Sequence, residues 1–375
     1  MPQSREPPPS MCNNDKSASD EDPPPAVNGK SGTNAVNIYR NELPMKVHFL
    51  EAEQHWQGKL FCVTHSARPI EAHRHNPNVL DKRFGPTRFS TAPPFEQLTP
   101  ASTQNNFPGG QITVWKFDDA DDRQPRLVAH IEPEYTPRHA IWHHGQLWVL
   151  GGEILEVYNT ALRRTAVVED PWLAGGHTVV PDGAGRFWVS CSGSDSVLVV
   201  DERSLQVTDA LRVPESLYGR NYHLKRTDSV VDHFVPTDLQ LTHINCAWPY
   251  KGGALISAFI PGALGWFTPE GDYRELTRGF VGCHSVRVSR SGTIYFCDSC
   301  FGAVVFLDTK HHIARRVSLE SRFLQDAMEL SGSTWAASCA DRNSVVLFDE
   351  FTGETLQVLD CSAFGRTVLF FSYGE

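Results

Sequence analysis

The stretch RHAIWHHGQLWVLGGEILEVYNTALRRTAVVED, residues 138–170, decides the fold. It contains four short runs rich in β-branched and aromatic residues, separated by Gly, Asn and charged turn residues. None of the runs keeps a helical period. Its marker is a Gly followed three residues later by a large apolar residue, GQLW at Gly145–Trp148. The marker recurs as GKLF (Gly58–Phe61), GRFW (Gly185–Trp188), GALI (Gly253–Ile256), GTIY (Gly292–Tyr295) and GSTW (Gly332–Trp335). After each of the last five copies comes a further apolar strand: ILEVYN, SVLVVD, ALGWFT, AVVFLD and SVVLFD. A more polar strand follows, such as RTAVVE, IARRVS or ETLQVLD.

Each unit therefore reads as four short strands, and units spaced by about 40 residues are the signature of an all-β, six-bladed β-propeller. One such sheet cannot cover its own faces, so neighbours must stack around an axis. Six units of about 42 residues fill roughly 252 of some 330 positions. Seven blades would require an insertion to hide a degenerate unit. Two insertions, 66–109 and 214–242, take up most of the remainder, and blade geometry places both over the end where the innermost strands begin. The C-terminal RTVLFFSY is expected to complete the ring by pairing with the first blade. Residues 1–45 carry two Pro-Pro-Pro runs and few large apolar side chains, so they read as a disordered tail before a single domain at 46–375.

The 375 residues carry 34 Lys and Arg against 44 Asp and Glu, a net charge of −10. That balance argues against a nucleic-acid partner, which needs clustered cations. There is no run of 18 apolar residues for a membrane helix. Nor does the N-terminus have the basic start and apolar run of a secretory signal. The odd count of 9 cysteines suits free thiols, hence a cytoplasmic protein. CDSC (Cys297–Cys300) has redox-motif spacing, but it sits at a strand end and reads as buried or rim thiols. The aromatics of the markers, Phe61, Trp148, Trp188, Tyr295 and Trp335, are expected between blades.

The innermost strands carry a second pattern. His139, His177, His243, His284 and Asp326 follow one another at intervals of 38, 66, 41 and 42 residues, and the longest interval contains an insertion. Read as one register, four imidazoles and a carboxylate would meet at the hub. Neutral imidazole suits Fe(II) or Zn(II), and three or four of them leave a coordination position open for water or substrate. His139, His177, His243 and His284 are thus the expected metal ligands. Asp326 is the expected outer-sphere group or general base, and Asn245 the expected ligand contact. In blade 1 the matching position falls near Ala52, with His48, Glu51 and Glu53 as substitutes. His73, His75, Tyr222, His223 and His233 lie in the insertions and could supplement the site. The pairs His143–His144 and His311–His312 read as solvated turn residues. A repeated polar residue can also serve as a hydrogen-bonding post between blades, which is the structural alternative to a metal site.

The strand grammar resembles the six-bladed propellers of the gluconolactonase, senescence-marker and NHL-repeat group. In that group an acidic residue opens the innermost strand as a metal ligand, where this chain has His139. The change from acidic ligands to His points away from calcium-dependent lactonase chemistry. The chain is closer to an uncharacterised bacterial propeller family with H-[LI]-N and H-S-x-R motifs, matched by His243–Ile244–Asn245 and His284–Ser285–Val286–Arg287 over roughly 139–350. His-rich axial sites are also similar to those of carotenoid oxygenases (iron) and amidating lyases (zinc), a likeness of site rather than of sequence. Together these imply a metal-dependent enzyme, an Fe(II) oxygenase or a Zn(II) lyase or hydrolase, acting on a small organic substrate. The alternative is a non-catalytic propeller that binds a protein partner through the face where the innermost strands begin.

Overall fold

The computed structural model describes residues 46–49, 60–66, 110–118, 121–133, 135–170, 172–214, 242–364, 366–369 and 373–374. The expected tail 1–45 lies outside them, as do 50–59, 67–109 and 215–241, and with these go Glu51, Ala52, Glu53, His73, His75, Tyr222, His223 and His233.

Alternating and β-branched sequence builds six antiparallel sheets. Blade 1 contains β1 (Lys46–Phe49), β2 (Leu60–Ser66), β3 (Gly110–Asp118) and β4 (Asp121–Glu132). Blade 2 is β5 (His139–His143), β6 (Gln146–Leu150), β7 (Leu155–Tyr158) and β8 (Arg164–Val168). Blade 3 is β9 (Gly176–Pro181), β10 (Arg186–Cys191), β11 (Ser196–Asp201) and β12 (Gln206–Arg212). Blade 4 is β13 (Ile244–Tyr250), β14 (Gly253–Ala258), β15 (Ala263–Phe267) and β16 (Tyr273–Arg278). Blade 5 is β17 (Cys283–Val288), β18 (Ile294–Asp298), β19 (Ala303–Leu307) and β20 (Ile313–Ser318). Blade 6 is β21 (Leu324–Ser331), β22 (Thr334–Cys339), β23 (Ser344–Asp349) and β24 (Thr355–Asp360).

The chain end closes the ring. β25 (Arg366–Leu369) and β26 (Tyr373–Gly374) both pair with β2, with Thr64 opposite Leu369 and Phe61 opposite Tyr373. Blade 1 therefore takes its innermost strand from the C-terminus. This corrects the reading of His48: β1 pairs with β4 at the outer edge, His48 opposite His130, far from the hub side of that sheet.

The faces of neighbouring sheets bury six apolar clusters, one for each interface. The cluster between blades 2 and 3 contains Trp148, Leu155, Phe187 and Leu198, and the one between blades 6 and 1 contains Phe61, Val63, Leu347 and Val345. The other four join blades 1 and 2, 3 and 4, 4 and 5, and 5 and 6. Six clusters for six sheets leave no interface uncovered. All five marker aromatics belong to these cores and are at least nine-tenths buried, as their repeat position predicts. Among the described residues no helix is long and apolar enough to cross a membrane. The eight cysteines described are all free, with Cys297 buried and Cys300 partly so.

The turn before the third strand repeats in blades 4 and 5. Gly262 and Gly302 both adopt φ +60°, and a Cβ on either would press into the carbonyl oxygen of the linker to the next blade, Phe280 or Ser321. Gly302→Ala is expected to destabilise the protein by about 1–3 kcal/mol, from left-handed strain and the displaced linker. Urea unfolding would show this as a lowered midpoint at unchanged slope.

Candidate functional site

Three of the expected residues lie close together at the end of the ring where the innermost strands begin. The His177 and His243 rings are 5.0 Å apart between centroids. Phe259 packs between the next two imidazoles, 5.4 Å from His243 and 4.9 Å from His284, and His284 lies 5.5 Å from Phe323. The result is an arc of five rings, His177, His243, Phe259, His284 and Phe323, contributed by blades 3 to 6.

The five positions do not share one register, and this corrects the sequence reading. In blade 2 the ladder runs unbroken, with His139 opposite Leu150 and Ala140 opposite Val149. The innermost strands of blades 3 to 6 each shift register beside the expected residue. His177 falls in the extra position between Gly176 and Thr178, whose partners Cys191 and Ser190 are consecutive. His243 precedes β13, His284 pairs with Cys297 ahead of its shift, and Asp326 follows one. Bulges leave a residue out of the ladder and re-aim its side chain. Equal spacing in sequence therefore becomes unequal placement in space.

His177 has the most unusual environment. Both ring nitrogens are buried with no hydrogen-bond partner. Burial, then the neighbouring His243, Arg138 and His284, holds its pKa well below the ordinary value. It is a neutral imidazole at pH 7, with a lone pair and an N–H both unsatisfied.

His243 sits at φ 48°, a left-handed conformation that costs free energy and must be held. Asp195, in the turn between β10 and β11, holds it: Oδ1 accepts the His243 N–H at 3.0 Å and the Thr242 N–H at 3.1 Å, and the Thr242 hydroxyl also bonds to it. Sequence reasoning missed Asp195. Its only signal there is a turn composition, SGSD, which many turns share.

His284 Nδ1 lies 3.1 Å from Gly282 O and 2.7 Å from Ser299 Oγ. The carbonyl can only accept, so Nδ1 carries the proton and Nε2 the lone pair. That is the tautomer a metal-ligating His adopts when a backbone carbonyl orients it. Burial pushes its pKa down to about 3.

The remaining expected residues do other work. His139 Nδ1 accepts the Val179 N–H of blade 3 at 3.2 Å, so the lone pair a metal would need is taken and the ring ties blade 2 to blade 3. Burial and then Arg287 lower its pKa to about 3. Asp326 is fully buried and bound through both oxygens by Arg287, Nη2 to Oδ2 at 2.5 Å and Nε to Oδ1 at 3.1 Å. It also accepts from Ser285 Oγ and the Ala327 N–H. A carboxylate so committed is a brace between blades 5 and 6 rather than a base. Asn245 Nδ2 donates to Cys283 O at 3.4 Å across to blade 5, and its Oδ1 is buried without a partner.

The arc suits a transition ion in its donors but is not assembled around one. Two imidazoles on one tetrahedral ion, with metal–nitrogen bonds of about 2.1 Å, have centroids about 5 Å apart, as His177 and His243 do. Yet among the described residues the ligating atoms of only one trio of His, Cys, Asp or Glu all fall within 4.8 Å of one another, and that trio is His143, His144 and Glu202. A single ion held by His177, His243 and His284 would require rotation of at least one ring.

No family model matches this chain, and no curated protein matches it either. Solved structures do. The chain is similar to a protein of unknown function from Bacteroides caccae, at 13% identity over 72% of this chain and 96% of that one, with a TM-score of 0.51. It also aligns with virginiamycin B lyase from Staphylococcus aureus, at 8% identity over 67% of this chain and 80% of that one, TM-score 0.46. A streptogramin B lyase aligns at 9% identity over 68% and 79%, TM-score 0.47. Identities this low speak to architecture and not to activity.

Proposed function

We propose that the ring arc is the active site of a metal-dependent enzyme acting on a small organic substrate, with His177, His243 and His284 as the protein's ligands for Fe(II) or Zn(II). One observation carries the reading: His177 buries two nitrogens with no partner beside a second imidazole. Leaving buried polar atoms unpaired costs about 1–3 kcal/mol each, and a cation or a ligand hydrogen bond would offset that. When bound, the ion would supply Lewis acidity and an open position. The chain's own part is to keep the imidazoles neutral by burial, to fix His243 through Asp195, and to present Phe259 and Phe323 as apolar walls that exclude water. Asp326 has no part in proton transfer here. Any base would have to come from another group or from the substrate.

The experiment is elemental analysis of protein purified without chelator, in a Glu202→Gln background. About one equivalent of iron or zinc is expected, falling below about a tenth in His177→Ala/His243→Ala of unchanged circular dichroism. Equal metal content in both proteins, or none in either, would reject the reading. A second reading, a non-catalytic propeller docking a protein at this end, has one observation behind it: Phe301, on the same end in the β18–β19 connection, is 64% exposed. It predicts a partner lost on Phe301→Ser and no bound metal.

A further inference from the structure

At the opposite end of the ring, we propose that His143, His144 and Glu202 form a second site, for a divalent transition ion that clips blade 2 to blade 3. The sequence reading left His143 and His144 as solvated turn residues, but only His144 fits that description. Its side chain is 74% exposed, whereas His143 is 13% exposed and packs edge-on against Phe187 of blade 3 at 5.2 Å.

The donors come from two turns. His143 ends β5 and His144 begins the two-residue turn to β6, with φ 49° at His144 and 72° at Gly145, the geometry of a type I′ hairpin. Glu202 opens the turn between β11 and β12. Its N–H donates to Gly185 O at 2.9 Å, and the Asp201 carboxylate accepts the Ser204 N–H at 2.7 Å. These bonds fix the turn backbone from which the Glu202 side chain projects.

The spacing is that of ligands on one ion. Glu202 Oε1 lies 3.2 Å from His143 Nε2 and 3.5 Å from His144 Nδ1. Two ligands at about 2.0–2.1 Å from a tetrahedral centre are about 3.3–3.4 Å apart. The His143 and His144 rings stack at 3.9 Å between centroids and 18° between planes, closer and more nearly parallel than two imidazoles on one ion, so capture of the ion turns one ring while Glu202 stays within reach of both. His143 Nε2 is buried and finds no hydrogen bond of sound geometry even there. Two imidazoles and one carboxylate select zinc, copper or nickel over calcium or magnesium. The exposed flank at His144 leaves room for a water ligand.

The test is a zinc titration of the full chain, stripped of metal and followed by calorimetry and by thermal unfolding. The parent is expected to bind zinc at this site and to melt at a higher temperature with it than without. Glu202→Gln and His144→Asn should each weaken that binding by at least about tenfold, since loss of a group merely supporting a ligand already costs that much. Asn is chosen because it tolerates the left-handed backbone at His144. His177→Ala should leave the binding intact, which separates this site from the arc. Zinc affinity and melting shift unchanged in both turn variants would overturn the proposal and leave an ordinary His–Glu contact. A parent with no zinc response would do the same.

Discussion

Arg287→Met is expected to cost the protein about 3–5 kcal/mol of stability, because it strands the Asp326 carboxylate at the centre of the ring without its cation. The Arg287 and Asp326 side chains are 7% and 0% exposed, and the guanidinium meets the carboxylate in a two-point fork. The same guanidinium lies over the Trp248 ring of blade 4 at 4.9 Å, so one side chain of blade 5 touches the blades on both sides. Water cannot replace it there. Asp326→Leu should be comparably harmful, leaving a buried guanidinium. The pair Arg287→Met/Asp326→Leu should be less harmful than either single change, because no unpaired charge is left buried. Urea unfolding of the three variants decides it. If the double variant loses as much as the two singles added together, the charges are not coupled and the brace assigned to Asp326 is wrong.

Acidification should unfold the protein well before its carboxylates are protonated. His65 and His139 are each held by burial at a pKa of about 3, against 6.5 when unfolded. Below pH 6.5 the unfolded chain takes up protons that the folded ring refuses. The stability that comes from keeping them neutral is therefore complete above 6.5 and falls as pH drops towards 3. Each imidazole contributes a slope of about 1.4 kcal/mol per pH unit, so the two together remove about 4 kcal/mol by pH 5. His284, also near 3, acts in the same direction. Chemical denaturation between pH 8 and pH 5 would measure the slope. His139→Asn, whose side-chain oxygen can still accept the Val179 N–H, should reduce it by about 1.4 kcal/mol per unit. A stability flat over this range would mean that those rings are wetter than the structure places them.

The architecture was legible because it repeats. A Gly turn, a large apolar residue three positions on, and a following apolar strand fixed blade number, strand order and the inter-blade role of Trp148, Trp188 and Trp335. The C-terminal strand was legible too, since RTVLFFSY is apolar and alternates with no partner nearby in sequence. The site was legible only in composition. Intervals of 66 and 41 residues, the first containing an insertion, brought His177, His243 and His284 to one end of the ring, but a bulge adds one residue to one strand and leaves no periodic trace. That is why His139, on the one unbroken innermost strand among blades 2 to 6, became a post between blades. It is also why Asp326 came to face Arg287. The partner was in view in the HSVR motif, yet nothing in a string of letters says that a cation and an anion about 40 residues apart share a buried fork. Glu202 was invisible for a similar reason: a carboxylate in a turn acquires meaning only when another blade sets two imidazoles against it.

Blade 1 waits for its hub strand until blades 2 to 6 have been made. Its pairings, Thr64 with Leu369 and Phe61 with Tyr373, each join positions about 300 residues apart, the longest-range contacts in the ring and the costliest in loop entropy. Until that moment β2 offers an unpatched rim of backbone amides to any passing strand, including one from another nascent copy. The step that seals the circle is thus also the one at which a polysome can go wrong, and a chaperone that shields β2 would act there.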